Sequence, residues 1–183
     1  GSGYNEGFGD IKLTYSPAPG QKLILAYYKG LQFDVPRTHK TYKMKSWRYC
    51  TTGTRLQLNR DQDKDLAYVQ YHVAKADALF QEAKFSLSFY EQSEVLREQK
   101  SGSTTISHKG FTCGTAGFWF EMKSESFVGE LVYGGEFYHD VVNSYVRSED
   151  MTTGILTRTG PRGTIADDAS ADLAGLFVRA ETK

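Results

Sequence analysis

The chain has 183 residues, with 22 Lys plus Arg against 22 Asp plus Glu. It is long enough to bury one hydrophobic core, and without a basic surplus it argues against nucleic acid as a partner. Hydrophobic residues at 39% and aromatics at 14% are too many for a disordered chain, and the apolar runs are too interrupted for a membrane span, so a soluble folded domain with no transmembrane segment is expected.

The opening Gly1-Ser2-Gly3 resembles an expression scar, and one domain is expected over residues 4–183. Asp10 to Tyr15 alternates apolar and polar with period two, the signature of a strand, and Ser16-Pro17-Ala18-Pro19-Gly20 closes it. Lys22 to Tyr28 reads as a strand buried on both faces, Leu31 to Val35 as a third that stops at Pro36, and Thr38 to Tyr49 as another. Thr54 to Asn59 alternates again, enters the polar loop Arg60 to Asp65 and resumes over Leu66 to Val73, which predicts a long hairpin.

Ala74 to Ala83 predicts a helical turn, whereas Lys84 to Tyr90 alternates cleanly with Phe85, Leu87 and Phe89 on one face. Glu91 to Ser103 is charged and reads as a protruding connection with a helical turn around Glu94 to Glu98. Gly114-Thr115-Ala116-Gly117 and Gly134-Gly135 read as turns, Phe118-Trp119-Phe120 as core, and Phe137 to Val146 and Ile155 to Thr157 as strands. From Asp167 a short C-terminal helix is expected, with an edge strand through Leu176-Phe177-Val178 as the equal alternative. The fold class expected is therefore all-β: an antiparallel sandwich of jelly-roll type, or a barrel, of about ten short strands.

Asp61-x-Asp63-x-Asp65 places alternating carboxylates where oxygen ligands can converge on calcium, although Leu66 and His72 stand where an EF-hand needs Gly and Glu. The alternative is a solvated acidic tip with Arg60 and Lys64 interleaved. His39, His72, His108 and His139 have no zinc-pair spacing, and His139-Asp140 with Ser144 or Cys113 lacks the local motif of a hydrolase. Cys50 and Cys113 are either one bridge or two ordinary small residues on strands.

Tyrosine, at 12 copies, supplies amphipathic faces that stack on sugars or anchor peptides. Trp47, Tyr49, Tyr68 and Tyr71 are the expected ligand-binding residues, against the alternative that strands enrich aromatics for packing. The stretch from Trp47 through Leu58, the run to Val73, Phe85 to Gln92 and Gly117 to Phe120 resembles the strand order of TRAF-type peptide-binding sandwiches, an analogy of fold that carries no residue over. The expected function is non-catalytic recognition of a peptide or carbohydrate. The alternatives are a structural subunit that assembles with copies of itself, and a small barrel enclosing an apolar ligand or a cyclase or lyase site.

Overall fold

The computed structural model describes residues 3–37, 41, 53–74, 80–127, 129–160, 162–163 and 165–181. All their regular structure is β-strand: β1 Asn5–Tyr15, β2 Gln21–Pro36, β3 Arg55–Ala74, β4 Glu82–Lys100, β5 Thr105–Ser126, β6 Gly129–Asp150, β7 Leu156–Gly160 and β8 Ala169–Glu181. They form one antiparallel sheet in the order β1-β2-β3-β4-β5-β6-β7, with β8 also paired to β6. The all-β antiparallel expectation holds. Instead of two facing sheets or a closed barrel, however, the described strands make a single open sheet.

Strand length is the main departure from the sequence reading, with β5 and β6 each running 22 residues. Arg60 to Asp65, expected as a loop, lies inside β3, where it pairs continuously with β4 and, across a register shift between Gln32 and Val35, with β2. Four of the segment's five charges find a cross-strand partner, Arg60 in Glu94, Asp61 in Arg97, and Asp63 and Asp65 in Lys29, and Lys64 is exposed. Glu94 to Glu98, expected to turn helically, belongs to β4, where Glu94 faces Arg60 at 3.1 Å and Glu98 faces Arg55 at 2.5 Å.

Of the two C-terminal expectations the strand holds and the helix does not: β8, through Leu176-Phe177-Val178, pairs residue by residue with β6 from Glu130↔Glu181 to Val142↔Ala169. Small residues have modest strand preference of their own, and here the waiting edge of β6 decides the outcome. Both glycine pairs read as turns lie within strands instead. A Cβ at Gly117 would come within 2.7 Å of the Tyr138 ring, and one at Gly134 within 2.2 Å of the Phe120 carbonyl oxygen. These glycines admit a close approach inside the sheet.

β7 and β8 divide one edge of β6 between them, β8 taking it up to Val142 and β7 from Val146 onward. The gap is closed by side chains: the Ser144 N–H donates to Asp167 Oδ1 at 2.7 Å, and the Gly163 N–H donates to Ser144 Oγ at 2.7 Å. Ser144 is thereby 2% exposed with its backbone donor satisfied.

Candidate functional site

Because the strands stay in register, successive residues of β3 select successive rows across the sheet, and alternate rows face opposite sides. One row joins Leu13, Leu25, Val69, Leu87, Phe118, Phe137 and Ala174. The next on the same side joins Tyr15, Leu23, Tyr71, Phe85, Phe120, Gly135 and Leu176, and the one beyond it joins Val73, Ala83, Met122, Tyr133 and Val178. This side is apolar from strand to strand.

It is also uncovered. Leu13, Leu25, Leu87, Phe118 and Phe137 are between 39% and 58% exposed. Phe118 and Phe120, expected as core, stack on this outer side at 5.8 Å. At its centre the face dips into an open apolar depression of about 660 Å³ lined by Leu13, Leu25, Val69, Leu87, Phe118 and Phe137 among others. Contiguous exposed apolar surface on this scale marks an interaction face.

The opposite side reads differently. Its rows are Lys12, Ala26, Tyr68, Ser88, Gly117, Tyr138 and Leu173, then Thr14, Ile24, Gln70, Ser86, Trp119, Glu136 and Gly175, then Lys22, His72, Lys84, Glu121, Gly134 and Phe177. Lys84 Nζ donates to Glu121 Oε1 at 2.9 Å, and the Thr115 hydroxyl donates to Asp140 Oδ1 at 2.5 Å. Tyr28 and Tyr68 stack with ring centroids 6.1 Å apart. Hydroxyl, amide and charged groups dominate, with aromatic rings set among them.

The apolar rows begin near Tyr27, Phe89 and His139 and end near Ser124, Leu131 and Ala180. At that lower end β1 is followed by β2, β3 by β4 and β5 by β6. At the other end they continue for about ten residues of mixed polar surface to Lys100, Thr105 and Asp150.

Asp61, Asp63 and Asp65 lie in that polar extension, on the side that is apolar lower down. The strand does align them, as the alternation predicts, but each is engaged by a cation: Asp61 by Arg97 at 2.7 Å, and Asp63 and Asp65 by Lys29 at 2.5 and 2.6 Å. The Tyr27 hydroxyl also donates to Asp65. Among the described residues no group of three or more His, Cys, Asp or Glu is gathered for a metal ion.

Of the four expected ligand-binding aromatics, Trp47 and Tyr49 lie outside the described residues, as does Cys50. Tyr68 and Tyr71 are separated by an odd number of positions on one strand, so they face opposite sides and cannot share a platform. Tyr68 belongs to the polar side with Tyr138, expected only as part of a strand, and Trp119, expected as core, and Tyr71 belongs to the apolar side. Only the register, which sums short local alternations over six strand pairs, reveals that grouping. His139 meets Asp172 at 2.7 Å on the exposed apolar side, with neither Ser144 nor Cys113 in that bond, and Cys113 is a free, half-buried thiol. Comparison of the chain with protein-family models, with curated proteins and with solved structures finds no match.

Proposed function

We propose that this sheet is a section of the wall of a membrane-spanning β-barrel, with the apolar side against lipid and the polar side lining an aqueous lumen. The observation that carries the reading is the exposed apolar row from Leu13 to Phe137, flanked by parallel apolar rows and backed by a polar face. Its height fits. About nine residues of strand at ~3.4 Å each, tilted by ~40°, rise about 23 Å, close to the ~25 Å apolar band of membrane barrels.

Tyr27 stands at the end of that band towards the polar extension and Tyr133 in the row beyond its middle towards the turns, as residues of an interfacial aromatic belt would. Among the described residues no helix is long and apolar enough to cross a membrane, and a barrel crosses with strands instead. The proposal departs from the expectation of a soluble domain without a transmembrane segment. It also gives the apolar depression an occupant, the acyl chains of the bilayer.

The test places a reporter on each side of one strand. Leu87→Trp and Ser88→Trp occupy adjacent residues that face opposite ways. In vesicles of phosphatidylcholine carrying brominated acyl chains, the indole at position 87 is expected to be quenched and blue-shifted relative to the unsubstituted chain, and the one at 88 to be unaffected by bromination. Equal behaviour at the two positions rejects the proposal.

A further inference from the structure

Resting on that reading of the polar side as a lumen wall, we infer that this side carries a stacking track for a neutral oligosaccharide, built from Tyr28, Tyr68, Tyr138 and Trp119. The four rings sit on adjacent rows of one face and leave the central strand positions to Ser88 and Ser86. Tyr28 and Tyr68 are stacked at 6.1 Å with 20° between their planes, forming a continuous aromatic surface at one end of the track.

At the other end the Tyr138 ring is seated on Gly117. A Cβ there would fall 2.7 Å from Tyr138 Cε1 and 2.6 Å from Ser88 Oγ, so the missing side chain lets the ring settle low against the sheet beside a hydroxyl. Tyr68, Tyr138 and Trp119 are each only half-buried, and Tyr28 is exposed. A packing role would bury such rings, as aromatic side chains bring their largest return when covered. Here they are left open on a face of polar neighbours.

The arrangement matches a pyranose chain. Each sugar ring has C–H faces that stack on aromatic rings and a rim of hydroxyls that need polar partners, and Ser86, Ser88 and Gln70 supply those between the rings. The fixed charges of the track's rows and the row beside them nearly cancel and do not select a charged solute. Lys12, Lys22 and Lys84 are set against Asp10, Glu121, Glu136 and Asp140, and the Lys84 and Glu121 charges are paired with each other. A dry apolar ligand is disfavoured by the same lysines and carboxylates.

The experiment is calorimetric titration of the chain in detergent micelles with maltohexaose, and with chitohexaose and xylohexaose as alternative neutral hexasaccharides. Saturable binding of at least one is expected. Tyr138→Ala and Trp119→Ala should each weaken it about fivefold, the loss of one stacking partner. Tyr138→Phe should retain it, and Tyr27→Ala, on the opposite side, should leave it unchanged. Far-ultraviolet circular dichroism identifies any variant that fails to fold, and Tyr138→Phe keeps the test decisive if the alanine variant does.

Absence of saturable binding for all three sugars overturns the inference, as does Tyr138→Ala binding like the unsubstituted chain. The two readings fail separately. Quenching at position 87 by brominated lipid without sugar binding removes the track and keeps the wall. Sugar binding that depends on Tyr138, without that quenching, leaves a saccharide face and removes the lumen.

Discussion

Leu87→Arg turns the environment of the apolar side into a measurable energy. Leu87 is 58% exposed, so in water an arginine there gives up little buried area and is expected to change stability by no more than ~0.5 kcal/mol. Against lipid the same substitution places a guanidinium in hydrocarbon. Its row lies one step from the middle apolar row of Leu23, Tyr71, Phe85 and Phe120, about 5 Å above the band centre at ~3.4 Å rise per residue and ~40° tilt. At that depth an arginine on the lipid face costs about 2–3 kcal/mol, within the ~2–4 kcal/mol found at the midplane. Reversible unfolding by urea from short-chain phosphatidylcholine vesicles, followed by tryptophan fluorescence, measures it. Ser88→Arg, one residue along and facing the polar side, is the control and should cost less than about 1 kcal/mol, as lumen positions tolerate charge. A Leu87→Arg cost below ~0.5 kcal/mol, or one no larger than that of Ser88→Arg, refutes the reasoning.

Asp167→Ala removes the acceptor of the Ser144 N–H and the partner of Arg158 at 3.2 Å. With Ser144 2% exposed, the orphaned donor should cost about 1–3 kcal/mol, and hydrogen exchange at the Ser144 amide should accelerate while that of Leu25 stays slow. Asp150 sits at the polar end of β6, where the backbone N–H groups of Thr152 and Thr153 hold its carboxyl below the usual carboxylate range. A depressed folded pKa means that its contribution to the β6–β7 turn is present above the unfolded value of ~3.9 and is lost as the pH falls through the folded one. Amide shifts of Thr152 and Thr153 followed by NMR should therefore titrate at a pH lower than that of an unhindered aspartate, and Asp150→Asn should abolish the titration.

The strand chemistry of this fold is open to local reading, and its continuity is not. Asp10 to Tyr15 and Lys84 to Tyr90 alternate strictly and are strands, with Phe85, Leu87 and Phe89 on one side as the period requires. The reading breaks where polar residues occupy both faces. Arg60 to Asp65 and Glu91 to Glu98 have the composition of solvated connections, yet they are strand because Arg97, Lys29 and Arg55 reach across to neutralise them. A partner one strand away lies tens of residues off in sequence, so no local window contains the compensation. Gly117 and Gly134 mislead for a related reason: the groups that make glycine necessary there, the Tyr138 ring and the Phe120 carbonyl, belong to neighbouring strands. The same holds for the candidate site. Tyr68 is conspicuous by type, but its companions follow from register, which puts Tyr138 and Trp119 on its side and Tyr71 on the other.

The two edges that the described strands leave free constrain how such a wall can close. Among the described residues β1, exposed along its whole length, pairs only with β2, and β8 pairs only with β6. In water those edges would template further strands, and in a bilayer their unpaired N–H and C=O groups would each cost several kcal/mol, so both must be paired. Pairing them with each other does not satisfy the rule of antiparallel walls. Every neighbour in the path is antiparallel, and β7 and β8 share one edge of β6, so β8 runs in the same direction as β1 and their junction would be parallel. Copies joined head to tail meet the same parallel junction. A two-fold that pairs β1 with β1 antiparallel reverses the polar extension across the membrane, which sends Asp150 and its turn to opposite sides in the two copies. An all-antiparallel wall with one lipid face and one orientation therefore needs an odd number of additional strands between β8 and β1, each carrying apolar residues in register with Leu13 on one side and polar residues in register with Lys12 on the other.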